Sequence, residues 1–196
     1  MQQSAPPPPT FIIFSGAPGA GKTSLLQQLA RRGYSTHHEL ARQLIQQSFP
    51  RDGQAASRLE RQRFAQALWA AEMTRWQALL PHSPSPGQLP VLVDRSWVDG
   101  WVCCQMEGVE ICVDPLKDLR SMAQRSLVLL LSPWQEIYVK DSERTQSWHE
   151  AVQSYTLCAE AYRSFGFPTM EVPQLPLPER AGWVHSLLQA PPSETR

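Results

Sequence analysis

The chain alternates short apolar runs with longer stretches of helical periodicity, and this alternation predicts most of its elements. Residues 11–14, 90–93 and 126–131 are continuous apolar runs, as expected of strands buried on both faces of a parallel sheet. Residues 34–37 and 167–172 read as two shorter strands. Leu25, Leu26 and Leu29 recur at helical spacing before Gly33 stops the helix. A second helix, from about Glu39, turns Leu40, Leu44, Ile45 and Phe49 inward, and residues 50–53 close it. Residues 57–80 contain neither glycine nor proline. They carry Leu59, Phe64, Leu68 and Ala71 along one face, with Trp69, Met73, Trp76 and Leu80 beside it, which predicts one long helix. Its aromatic residues read as core rather than as a base-stacking platform. Residues 81–88, rich in proline and serine, read as a loop. Further helices are expected over 97–105 and 115–124, in a long segment ending near Ser164, and over 178–188. Strands separated by helical crossovers imply an α/β fold: a parallel sheet of about five strands, helices on both faces, and a ligand at the carboxyl ends of the strands.

The first strand runs into Gly16-Ala17-Pro18-Gly19-Ala20-Gly21-Lys22-Thr23-Ser24, which satisfies G-x-x-x-x-G-K-[ST] in full. A chain that wraps a phosphate needs positive φ angles and amides close to the anion, and a Cβ would obstruct both. Lys22 is placed to reach the β and γ phosphates of ATP, Thr23 to ligate Mg²⁺, and the helix starting at Lys22 to point its positive end at the ligand. Charge-assisted hydrogen bonds contribute roughly 1.5–3 kcal/mol each, so several converging ones bind a nucleotide without contacts to its base. The fold class narrows to a P-loop NTPase of three α/β/α layers. The strand at 90–93 ends in Asp94, the Walker B arrangement, whose carboxylate acts on Mg²⁺ directly or through water.

Composition changes this picture little. The 196 residues suffice for one domain, and 42% hydrophobic with 18% charged residues is ordinary for a globular protein. The expected organisation is a disordered proline-rich head at 1–9, a single P-loop domain at 10–190 and a disordered tail at 191–196. Eighteen basic residues balance eighteen acidic ones, so no global field draws in nucleic acid or an anionic membrane. Cys103, Cys104, Cys112 and Cys158 lack zinc-site spacing and read as buried reduced thiols. The first residues lack a basic region and an apolar signal core, and no apolar run spans a bilayer, so a cytoplasmic protein is expected.

The ordered set GAPGAGKTS (16–24), ELARQLI (39–45), VLVDRSWVDG (91–100), LSPWQEIYVKDSERTQSW (131–148), AYRSFGF (161–167) and VPQLPLPERAGWV (172–184) covers nearly the whole chain. It resembles a family of small P-loop proteins related to nucleoside and nucleotide kinases, described as AAA-like ATPases and including the nicotinamide-riboside kinase domain. The set is specific to that family and not to a substrate. The resemblance implies a nucleoside/nucleotide-kinase-like fold and an ATP-dependent phosphotransferase acting on a small, nucleoside-like hydroxyl acceptor. The alternative it leaves is a nucleotide-dependent ATPase or regulatory switch that binds a protein partner. It implies that Glu39 takes the acceptor proton, or else is a helix N-terminal carboxylate that favours the macrodipole. Arg42 either binds the acceptor or neutralises Glu39. Arg95 points into the active site or forms a structural ion pair, and Arg144 closes a lid over the triphosphate or is solvated surface. Two departures from the family pattern stand out: His37 and His38 precede Glu39, and the lid segment is poor in basic residues. No N-K-x-D segment occurs to favour guanine.

Overall fold

Runs too continuously apolar to face water on either side belong in the middle of a sheet, and that is where they lie. In the computed structural model, residues 8–48, 56–82, 84, 88–111, 121–137 and 147–189 are described. The strands are β1 (Phe11–Gly16), β2 (Thr36–His37), β3 (Val91–Asp94), β4 (Ser126–Leu131) and β5 (Thr169–Glu171). They form one five-stranded sheet in the order β2-β3-β1-β4-β5, and every pairing is parallel. The register sets Phe14 beside Asp94 and Gly16 beside Leu131, so the loop after β1 and the end of β3 open on the same edge.

The helices are α1 (Lys22–Ala30), α2 (Leu40–Ser48), α3 (Arg58–Leu79), α4 (Trp97–Met106), α5 (Trp148–Ser164) and α6 (Leu177–Gln189). Alternate residues of the strands feed two cores. Phe11, Ile13, Val93, Val128 and Leu130 pack with Trp76 of α3, Val98 and Val102 of α4, and Tyr162 of α5. Ile12, Phe14, Leu92, Leu129 and Leu131 pack on the other face with Leu25, Leu26 and Leu29 of α1 and Val184 of α6. Each fully buried large apolar side chain contributes about 1.5–3 kcal/mol, which makes the central strands the rigid base of the loops above them.

Several expectations shift by a residue or two. The short strands contract to Thr36–His37 and Thr169–Glu171, and β3 begins at Val91 rather than Pro90 while ending in Asp94 as expected. The long helix buries Ala65, Leu68, Glu72 and Trp76, while Leu59, expected inside, is 56% exposed. Leu59 belongs to the first turn, before α3 reaches the core, and the inward line runs through a charged residue that periodicity of apolar residues does not register. Trp76 is core, stacked edge-on to Phe11 with centroids 5.2 Å apart. Trp69 lies against Gly100, where a Cβ would come within 3.0 Å of the Trp69 backbone, so glycine lets α4 approach α3 closely. Cys104 and Cys158 are buried free thiols and Cys103 is half-buried. Phe49, Cys112, most of the helix expected at 115–124, the segment around Arg144, residues 1–7 of the head and the whole tail lie outside the described residues.

Candidate functional site

Gly16 ends β1 at φ 124°, and a Cβ there would lie 2.2 Å from the Leu131 carbonyl oxygen. Only glycine lets β1 pass β4 at that distance while turning into the loop. The loop is fastened by the Ala17 N–H donating to the Leu131 carbonyl at 3.0 Å. Gly21, at φ 83°, is the N-cap of α1 and supplies no side-chain cap. Other long helices are closed differently: Ser57 with Glu60 opens α3, Ser96 with Asp99 opens α4 and Ser147 with Glu150 opens α5, each as a reciprocal capping box. No side chain caps the amides opening α1, which suits an anion at its positive end. Thr23, half-buried, and Ser24, exposed, sit in that first turn behind Pro18, Gly19 and Ala20.

Lys22 is buried, and its Nζ donates to the carbonyls of Gly16 at 3.2 Å and Ala17 at 2.7 Å. Burial and the nearby Arg95 lower its pKa to about 8, against the pull of Asp94, Glu39 and Asp99. On the neighbouring strand, Asp94 is wholly buried, and neither carboxylate oxygen has a hydrogen-bond partner among the described residues. Burial pushes its pKa up to about 6, helped by Glu39 and opposed by Lys22 and Arg95. A buried carboxylate without partners is costly, and a cation within reach of both oxygens would remove that cost. Among the described residues no group of three or more His, Cys, Asp or Glu side chains could hold a metal. A cation here would be completed by hydroxyl, water and phosphate oxygens, a donor set that fits Mg²⁺.

Beyond Asp94 the chain takes a left-handed step, with Arg95 at φ 64°. For a residue with a Cβ this conformation costs about 1 kcal/mol or more and persists only where the surroundings hold it. Arg95 is held at its side chain: Nε donates to Glu39 Oε1 at 3.0 Å and Nη1 to Asp99 Oδ1 at 2.9 Å. Burial alone would lower its pKa, but the two carboxylates outweigh burial and raise it well above the ordinary arginine value. The structure shows the ion-pair reading of Arg95 directly, as a bridge between Glu39 and Asp99.

Asp99 is the hub that sequence reasoning missed. Its Oδ1 also accepts from Ser15 Oγ at 2.6 Å, and its Oδ2 accepts from the Ser96 amide at 3.0 Å and the Tyr162 hydroxyl at 2.5 Å. Burial and Asp99 together push the Tyr162 pKa well up, so the phenol keeps its proton and donates. The signal was present, because Ser96-x-x-Asp99 is a capping-box pattern inside the quoted D-R-S-x-x-D-G segment. Arg180 of α6 was also missed: its Nη1 donates to the Ala20 carbonyl at 2.9 Å, and its guanidinium lies 5.0 Å from the Trp134 ring centroid. Nothing local in the sequence ties Arg180 to the loop. Glu39 stands just before α2, and Arg42 lies half-buried three residues along.

The model of the family described as AAA domain matches residues 11–180. A search of curated proteins finds no match. Among solved structures, the chain is similar to the NadR protein in complex with NR, at a TM-score of 0.57 and 15% identity over 96% of this chain and 54% of that one. It is similar also to the NadR protein in complex with NAD and AMP-PNP, at 0.55 and 17% over 96% and 52%. The YorR protein of Bacillus subtilis in complex with phosphorylated GDP gives 0.54 and 15% over 92% and 96%. The chain thus spans about half the length of the NadR protein. At these identities the likeness is one of fold, and the fold is that of small P-loop proteins.

Proposed function

We propose, from the premise that this chain belongs to the AAA domain family, that it is an ATP-dependent phosphotransferase acting on the hydroxyl of a small, nucleoside-like acceptor. Residues 10–190 would act as one P-loop domain. The observation that carries the reading is geometric: Arg95, the residue after Asp94, holds Glu39 Oε1 at 3.0 Å, which ties a carboxylate to the end of the strand that carries Asp94. A carboxylate held at that strand end would stand beside the phosphate cradle, as transfer from ATP to an alcohol requires.

In this reading the loop of residues 16–24, with Lys22, holds the β and γ phosphates. Thr23 and Asp94 would hold Mg²⁺, which when bound would neutralise charge on the phosphate oxygens. The acceptor oxygen forms the new bond to the γ phosphorus while the bond to the ADP oxygen breaks, and Glu39 receives the hydroxyl proton. Arg42 and Arg95 bind the acceptor beside Glu39, and Arg144 closes over the triphosphate. The bound ligands of the similar structures, NR and AMP-PNP among them, support a small nucleotide-like pair of substrates for this chain as well.

One observation favours a second reading, a nucleotide-dependent ATPase switch that binds a protein partner: Glu39 Oε1 is already committed to Arg95. The two part in a single assay. With Mg-ATP and a panel of nucleosides and related alcohols, a kinase releases ADP in response to an acceptor and loses that response in Lys22→Ala. Tight nucleotide binding with no acceptor response across the panel favours the switch. No helix among the described residues is long and apolar enough to cross a membrane.

A further inference from the structure

Helix α3 carries a buried Glu–Arg pair that the phosphate-transfer reading does not use. Glu72, 1% exposed, and Arg75, 9% exposed at its side chain, are one turn apart and bonded through Glu72 Oε2 and Arg75 Nη2. The pair is not fully satisfied: Glu72 Oε1 and Arg75 Nε have no hydrogen-bond partner among the described residues. A buried pair with unmatched polar atoms is weak support for stability, and apolar residues of similar volume commonly do as well or better. What this pair does have is reach. Arg75 Nη1 donates to the His38 carbonyl at 2.9 Å, and Nη2 donates to the carbonyls of Asp94 at 3.1 Å and Arg95 at 2.9 Å.

Those three carbonyls belong to the peptide units that join His38 to Glu39, Asp94 to Arg95 and Arg95 to Ser96. One planar guanidinium therefore spans the segment that presents Glu39 and the end of the strand that presents Asp94. It also grips the carbonyl of the one non-glycine residue at positive φ among those described, Arg95. A lysine could not reproduce this, because its ammonium is a point donor on a flexible stem.

We infer that Arg75, held by Glu72, is a positioning residue that clamps the Glu39 and Asp94 segments in the relative placement the site needs. The inference rests on the proposed nucleotide chemistry for its purpose, but the clamp can be measured without it. Partners that orient a metal-binding side chain without touching the metal commonly alter metal affinity 10–100-fold.

Two variants test it. Glu72→Leu/Arg75→Met replaces both polar side chains at similar volume, a change buried pairs of this kind commonly tolerate, while Arg75→Lys keeps the charge without the fork. Hydrogen exchange on the nucleotide-free protein should quicken by about tenfold or more in peptides covering 38–40 and 94–96, with 16–24 unchanged. Titration with ATP, with and without EDTA, should show the Mg²⁺-dependent gain in affinity falling about tenfold in both variants, with the Mg²⁺-free affinity retained. Unchanged exchange at those two segments in the folded double variant overturns the clamp. Faster exchange with an undiminished Mg²⁺ gain overturns its role in the site. A wild type with no Mg²⁺-dependent ATP binding overturns the functional reading instead, and the exchange arm then decides the clamp by itself.

Discussion

The loop at 16–24 draws its amides, lysine and hydroxyls from nine consecutive residues, whereas the network around Asp99 draws on β1, the turn after β3, α4 and α5 at once. The cradle depends on backbone conformation, with Gly16 and Gly21 at positive φ and a helix start without a side-chain cap. The acceptor side depends on charge pairing, with Arg95 bridging Glu39 and Asp99 and Arg75 gripping three carbonyls. In the proposed reading the cradle would bind phosphate by itself, and acceptor chemistry would need the assembled set. Damage to the first should therefore cost affinity and rate, and damage to the second should cost stability as well.

The largest effect is expected from Asp99→Ala. It leaves Arg95 with Glu39 alone and strips partners from Ser15 and Tyr162, and breaking a buried pair of this kind costs about 3–5 kcal/mol. Urea unfolding checks this, and a loss below about 1 kcal/mol would mean that the network is decorative. Lys22→Ala sharpens the other half of the contrast. Removing one preorganised donor costs ~10²–10³ in rate. Its unfolding midpoint should hold or rise, because burial already depresses the Lys22 pKa to about 8 and the charge is costly in the nucleotide-free fold.

A third test uses pH. Burial raises Glu72 to about 8 despite Arg75, so the folded protein holds that proton where the unfolded chain has released it. The proton-linked stability is fully present below the ordinary carboxylate value and is lost as pH rises through about 8. Wild type should accordingly lose on the order of 3 kcal/mol relative to Glu72→Gln between pH 4.5 and 8, read from unfolding curves at several pH values. Parallel curves for the two proteins would show that Glu72 is not titrating there. The smallest expected shift comes from Asp94→Asn. Relieving a buried carboxylate without partners should raise the nucleotide-free protein's stability by about 1 kcal/mol while weakening the Mg²⁺ dependence of ATP binding.

The same contrast explains what was legible in the sequence. The strands, the three-layer fold and the loop at 16–24 could be read because their signals are local: an apolar run, a glycine spacing, a helix start. Asp94 was legible because it ends a strand at a recognisable place. Asp99 takes bonds from Ser15, 84 residues away, and from Tyr162, 63 residues away, and no spacing rule reaches that far. Glu72 and Arg75 were hidden differently. Glu72 stands in phase with Ala65, Leu68 and Trp76, so a charge in an inward line was the available signal, and apolar periodicity passes over it. Arg180 reaches Ala20 across 160 residues and had no local signal.

The central claim, that Glu39 is the acceptor-side base of a phosphotransferase, is tested most directly by acceptor-stimulated ADP release in wild type and Glu39→Gln at matched nucleotide saturation. Wild type should respond to at least one hydroxyl acceptor. Glu39→Gln should cut that response ~10²–10⁴-fold while its Kd for Mg-ATP stays that of the wild type. An acceptor response of equal size in the two proteins would contradict the claim.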